Sequence, residues 1–238
     1  MNQEMTEIRL SDVLKTVKNL SPSVLTNGTQ IYDFSKKEYL FFASVCKEDK
    51  DLPKLVCENF SNVGIEIHSG DTVITANQTE ETVAHERYEH FKSKKLSFYE
   101  AAEYDWNKVL YMFESKEHLK SALPFLEQNA VDSRFIESSA IIDGRRRYYC
   151  EQIPNGVSKA SSLNKLCEIL EIRKGGFFAI GDYYNDLEMI KNADISACPN
   201  DSPEDIKKYA TLTVCCVHDG AVADFIEYLK NNFHSERK

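Results

Sequence analysis

Residues 177–180, Phe-Phe-Ala-Ile, run directly into Gly181-Asp182-Tyr183-Tyr184-Asn185-Asp186, and a helical pattern opens at Leu187. The apolar stretch reads as a short buried strand and residues 187–191 as the start of a helix, which places Asp182 at the strand's carboxyl end. In open α/β sheets that edge is where ligands bind. Upstream, residues 158–170 form an amphipathic helical pattern, with Leu163, Leu166, Cys167 and Leu170 at spacings of three and four. Lys159 opens that helix, and a cation in a first turn opposes the macrodipole. Its placement calls for something anionic beside it.

The combination points to phosphate chemistry. A phosphate ester carries close to two negative charges, and transfer of its phosphoryl group needs fixed positive charge around the oxygens. Asp182 offers Mg²⁺ a hard oxygen ligand, with Asp186 as a second or outer-shell one. Asn185 offers an amide donor to a phosphate oxygen, and Lys159 a cation. Read alone, acidic residues at a helix start are structural caps, and a first-turn lysine is a solvated side chain. The strand before the acidic run and the lysine helix upstream favour the site instead.

The 238 residues carry 29 basic and 38 acidic side chains, a net charge of −9, which argues against nucleic acid or an anionic membrane as a partner. The cysteines at 46, 57, 150, 167, 198, 215 and 216 show no metal-ligand spacing and lie mostly in apolar elements, as reduced structural thiols would. With no apolar targeting core at the start and no run of membrane-spanning length, the expected location is the cytoplasm.

Residues 23–26 read as a short core strand ending at Asn27-Gly28, after which the pattern turns antiparallel. Residues 31–43 predict a hairpin turning near Ser35-Lys36-Lys37, 52–60 a helix, and 65–75 a second hairpin turning at Ser69-Gly70-Asp71. A helix is expected over 79–94 with Ala84, Tyr88 and Phe91 inward, a buried strand over 109–113, a helix over 116–128 and a hairpin turn at Asp143-Gly144. Asp49-Lys50-Asp51, in a polar run before Pro53, reads as a loop. Arg145-Arg146-Arg147 would alternate between sheet faces, and His85 and His90, five apart on one helix, have the wrong spacing for joint metal binding and are expected on a solvated face. Tyr183 and Tyr184 either narrow the mouth of the site or pack beside it.

The runs Glu151 to Lys159 and Ile180 to Met189, with 193–197, Asn200 and His218-Asp219-Gly220, resemble in order and spacing the haloacid dehalogenase superfamily, nearest its Cof-type phosphatases. Residues 26–32 resemble the point where that family's cap insert leaves the core. The resemblance implies an α/β, Rossmann-like doubly wound core made of 1–32 and 151–238, with an α+β cap inserted at 33–150. It implies a Mg²⁺-dependent phosphatase of small phosphorylated metabolites, sugar phosphates among them. Lys159 would be catalytic and phosphate-binding, Asn185 phosphate-binding, and Asp182 and Asp186 the metal ligands.

One departure stands beside the match. The family's nucleophile and general acid lie in an Asp-x-Asp-Gly-Thr signature after the first core strand, and these residues contain none. Residues 1–20 read instead as the tail of the family's second motif region, with Thr6 to Arg9 echoing a Thr-Gly-Arg and Val13, Leu14 and Val17 on one helix face. The expectation is thus an amino-terminally incomplete core whose nucleophile segment is missing from the chain. The alternatives are a non-catalytic module that keeps anion binding without turnover, or a second polypeptide that supplies the aspartates.

Overall fold

The computed structural model describes residues 22–173 and 176–232, so the expected second-motif residues between Thr6 and Val17 lie outside the described residues. The contacts divide the chain into two compact units, one ending at Val157 and the other opening at Ser158.

The first unit begins with an antiparallel meander of β1 (Ser23–Leu25), β2 (Gln30–Asp33) and β3 (Glu38–Phe42). The β2–β3 hairpin turns where the sequence places it. Asp33 accepts from the amides of Ser35 and Lys36 and from the Ser35 hydroxyl, and Lys37 takes a positive φ of 57°. There follow α1 (Leu52–Asn59), β4 (Gly64–Ser69), β5 (Thr72–Asn77), α2 (Glu80–Tyr88), β6 (Lys94–Lys95), α3 (Phe98–Ala101), β7 (Lys108–Phe113), α4 (Lys116–Asn129), β8 (Ser133–Ile142) and β9 (Arg145–Pro154). Their strands form one six-stranded sheet in the order β6-β5-β4-β7-β9-β8, antiparallel except for β5 with β6. Asp143 and Gly144 both have positive φ, as a two-residue hairpin turn of matching twist requires.

The period of two along these strands decides the core. Ile65, Ile67, Val109, Tyr111 and Phe113 face Leu52 and Val56 of α1 and Leu119, Ala122 and Leu126 of α4, all essentially without solvent contact. The alternate residues are buried too, but there Leu110 and Met112 share the face with the polar Glu66, His68, Arg147 and Tyr149.

Polar contacts on that second face change three sequence readings. The helix expected over 79–94 ends at Tyr88, because His90 adopts a left-handed φ of 55° and Lys94–Lys95 pairs with β5 instead. Phe91 is buried, but Tyr88 is exposed. His85 is not on a solvated face: its Nδ1 lies 2.9 Å from the carboxylate of the fully buried Glu66. The three arginines alternate as expected, and each is engaged within the unit: Arg147 is buried against Glu81, Arg145 reaches Glu80, and Arg146 donates to Ser139.

Asp49-Lys50-Asp51 also differs from the expected loop. Glu48–Asp51 is a 3-10 turn leading into α1, and Asp49 is buried as the acceptor for the amides of Val131 and Asp132 and the hydroxyl of Ser133, at 2.6, 3.0 and 2.5 Å. A buried carboxylate needs such partners to offset desolvation, and here they tie the start of α1 to the start of β8.

The second unit comprises α5 (Lys159–Ile169), β10 (Phe178–Ile180), α6 (Leu187–Asn192), β11 (Ile195–Pro199), α7 (Glu204–Lys207), β12 (Leu212–Val214) and α8 (Ala221–Asn232). The strands form a parallel sheet in the order β10-β11-β12. Alternation along β11 sends Ala197 toward Phe225 and Ala221 of α8, and Cys198 toward Ile190 of α6 and Ile206 of α7. Helices therefore cover both faces, the doubly wound arrangement expected. No helix among the described residues is long and apolar enough to cross a membrane.

Candidate active site

Strand β10 ends at Ile180, and the Gly181 amide continues the ladder to the carbonyl of Ala197 at 3.2 Å before the backbone leaves the sheet. Asp182 follows at once, so it sits at the carboxyl edge of a parallel sheet, where unpaired backbone and helix starts converge. Tyr184–Asp186 forms a 3-10 turn into α6, closed by the Asp186 amide donating to the Tyr183 carbonyl at 3.0 Å.

Asp186 is the organising residue. The residue is 6% exposed; Oδ1 takes a hydrogen bond from Lys159 Nζ at 2.5 Å, and Oδ2 accepts from the Asp182 amide at 3.3 Å. Gly181 is what admits it. A Cβ on residue 181 would lie 2.8 Å from Asp186 Cγ and 2.9 Å from Oδ2, closer than real Cβ contacts come.

Lys159 is held from its own end as well. Ser158 caps α5 by accepting from the Ser161 amide at 3.0 Å, while the Ser161 hydroxyl accepts from the Ser158 amide at 2.8 Å. This reciprocal box satisfies the first free amides of the helix and fixes Lys159 as the first helical residue. The lysine side chain keeps 31% of its exposure, so its pairing with Asp186 leaves part of the ammonium open.

The structure thus brings Lys159, Asp182, Asn185 and Asp186 to one place within the second unit, in different surroundings. Both oxygens of Asp186 are occupied. Asp182 and Asn185 are exposed, and among the described residues neither side chain has a hydrogen-bond partner. Mg²⁺ commonly takes one or two carboxylates and completes its octahedron with water and substrate phosphate oxygens. The open Asp182 carboxylate fits that donor pattern, while Asp186 is committed to Lys159. No group of three His, Cys, Asp or Glu side chains among the described residues is placed to hold a metal ion.

Tyr183 and Tyr184 stand over this edge, both more than half exposed, with ring centroids 4.9 Å apart and planes at 76°. The Tyr184 hydroxyl donates to the Asp205 carboxylate at 3.0 Å, and that hydrogen bond holds the phenol above its ordinary pKa. Two features escaped the sequence reading. Asp205 lies 21 residues from Tyr184, with no spacing signal to link them. The contact of Asp186 with Lys159 forms between a helix and a turn 27 residues apart, which no local spacing announces.

The model of the family of haloacid dehalogenase-like hydrolases matches residues 7–226. A phosphoglycolate phosphatase from Methanosarcina acetivorans is 30% identical over 146 residues, which cover 60% of this chain and 58% of that protein. The match therefore spans less than two thirds of the relative's length. Among solved structures, a Thermotoga maritima protein superposes with a TM-score of 0.77 at 18% identity, covering 94% of this chain and 82% of its own. A haloacid dehalogenase-like hydrolase from B. subtilis gives 0.73 at 19% identity, covering 93% and 84%. A sugar phosphatase of haloacid dehalogenase subclass IIB gives 0.72 at 16% identity, covering 94% and 80%. These likenesses establish the fold.

Proposed function

The chain belongs to the haloacid dehalogenase-like hydrolases, and from that premise we propose that its second unit carries the phosphate- and metal-binding half of a Cof-type phosphatase site. The substrates would be small phosphorylated metabolites, with sugar phosphates the favoured class. On this reading residues 33–150 are the inserted α+β cap, with β1 and β2 leading into it, and residues 1–32 and 151–238 are the core.

The observation that carries the reading is the division of labour at the sheet edge: a buried Asp186 spends both oxygens fixing Lys159 and the Asp182 backbone, and the Asp182 carboxylate is left open. An ammonium has three donors. One is taken by Asp186, so Lys159 keeps two to direct at phosphate oxygens. Asn185 presents an amide from the same turn. Asp182 would hold Mg²⁺, which when bound supplies positive charge to the phosphate oxygens. A cation fixed before substrate arrives needs no reorganisation as charge develops, which is what makes such a site effective.

In the family's reaction an aspartate attacks phosphorus and water then releases phosphate from the acyl phosphate. The family's signature for that aspartate is not among these 238 residues, and Asp49, in the sole Asp-x-Asp, is committed to the β8 amides. This favours a second reading for the chain as given: a phosphate-binding module without turnover.

Titration calorimetry with inorganic phosphate, with and without Mg²⁺, tests the site on wild type, Asp182→Asn and Lys159→Gln. Asp182→Asn should remove the Mg²⁺ dependence of phosphate binding, and Lys159→Gln should weaken phosphate binding with or without the metal. Phosphate affinity indifferent to both substitutions would rule the site out.

A further inference from the structure

Tyr183 and Tyr184 are placed as no structural need of the second unit requires. Large aromatic side chains are stable when buried, yet these are 56% and 51% exposed, side by side, in the turn that carries Asp182 and Asn185. Neither belongs to the apolar clusters on the two faces of the parallel sheet.

Their conformation is nevertheless fixed. Tyr183 is extended, with φ −143° and ψ −179°, so the chain is stretched between Asp182 and Tyr184. Asp182 and Tyr184 therefore stand about 6.6 Å apart along the chain. That span is comparable to the distance from a phosphate group to the ring of a hexose 6-phosphate. The Tyr184 ring is tethered at its far end by the hydrogen bond to Asp205 on α7, and the edge of Tyr183 braces it at 4.9 Å. A surface aromatic held at both ends loses little freedom when something stacks on it.

We propose that Tyr184, tethered by Asp205 and braced by Tyr183, is a specificity-determining wall that receives the ring of the leaving group of a bound phosphate ester. The site then favours ring-bearing sugar phosphates over short-chain esters that offer no face to stack. This rests on the phosphate-site reading above and assigns its leaving-group side. Binding pockets commonly combine a few oriented polar groups with an aromatic surface, and the negative face of a phenol ring attracts the polarised C–H face of a sugar. Asp205 is a positioning residue in this arrangement, because it acts only through the ring it holds.

The test is calorimetry on the full chain with Mg²⁺, using inorganic phosphate, 2-phosphoglycolate and glucose 6-phosphate as probes. Wild type should bind glucose 6-phosphate more tightly than either of the others. Tyr184→Ala should weaken glucose 6-phosphate roughly three- to tenfold, the worth of one aromatic contact, and leave inorganic phosphate unchanged. Tyr184→Phe and Asp205→Ala, which keep the ring but cut its tether, should each give a smaller loss confined to the sugar ester. An unchanged ratio of glucose 6-phosphate to inorganic phosphate affinity in Tyr184→Ala, or a preference of wild type for 2-phosphoglycolate, would overturn the wall while leaving the phosphate site standing. Inorganic phosphate that does not bind wild type at all would overturn both.

Discussion

Gly181→Ala is the smallest change that tests how the candidate site is built. The added methyl would meet Asp186 Cβ first and then Cγ at 2.8 Å and Oδ2 at 2.9 Å, whereas carbon atoms rest at about 3.5–4.0 Å, so one side must retreat by roughly 1 Å or more. Asp186 is 6% exposed and fixed at both oxygens, and Gly181 is fixed by its ladder bond to Ala197. The strain therefore has no flexible side chain to absorb it. Overpacking of this kind costs about 1–3 kcal/mol, which in a chain of this size lowers the melting temperature by roughly 2–12 °C. The same displacement carries Asp186 away from Lys159 Nζ, so phosphate affinity should fall by about tenfold, equivalent to about 1.4 kcal/mol. Thermal unfolding followed by circular dichroism reads the first effect, and calorimetry with inorganic phosphate and Mg²⁺ reads the second. Gly144→Ala is the control: residue 144 has a φ of 73° in a hairpin of the first unit, with open space where the methyl would go. It should lower stability and leave phosphate binding alone. A Gly181→Ala protein that melts within a degree of wild type and binds phosphate equally well would refute the assignment of Asp186 as the organiser.

Asp49→Ala should destabilise the first unit by about 3 kcal/mol, because it leaves buried donors without an acceptor. Burial pushes the Asp49 carboxyl upward, but the hydrogen bonds from Ser133, Val131 and Asp132 outweigh it and hold the group below its ordinary value of 3.8. A depressed folded-state pKa gives stability that is present above the unfolded value and lost as pH falls through the folded one. The stability gap between wild type and Asp49→Ala, measured by urea unfolding, should therefore be constant near neutrality and close below about pH 4; a gap that widens on acidification would contradict this. Arg147→Ala should cost about 3 kcal/mol or more by stranding the buried Glu81 carboxylate, and Glu81→Gln in the same background should recover part of it; no recovery would show that the pair is not the source. The 238-residue chain should hydrolyse no generic or sugar phosphate at an enzymatic rate with Mg²⁺, and turnover abolished by Asp182→Asn would show that the nucleophile is present after all.

The repeating patterns of the sequence were enough to place most elements. Residues 109–113 are apolar throughout and lie between β4 and β9 as β7. Leu119, Leu123 and Leu126 recur at helical spacing and pack toward the core from α4, Leu123 only partly buried. Asp143-Gly144 has the chemistry its turn demands. The candidate site was legible for the same reason: Lys159 and Asp182 each stand at the end of an element whose period is explicit, and a parallel sheet brings such ends to one edge. Periodicity says which face a residue occupies and nothing about what lies opposite. Only the tertiary structure decided that Asp49 is a buried anchor for β8, that His85 turns inward to Glu66, and that Arg147 is spent on Glu81. Each of these contacts joins polar groups at least 19 residues apart across the fold. At the site itself, the sequence already ranked Asp186 behind Asp182, as a second or outer-shell ligand, but gave no sign of what holds Asp186. Their different surroundings come down to one distance, the 2.5 Å between Asp186 and Lys159, which pairs one carboxylate with a cation and leaves the other open. That distance exists only once α5 and the turn after β10 have packed together.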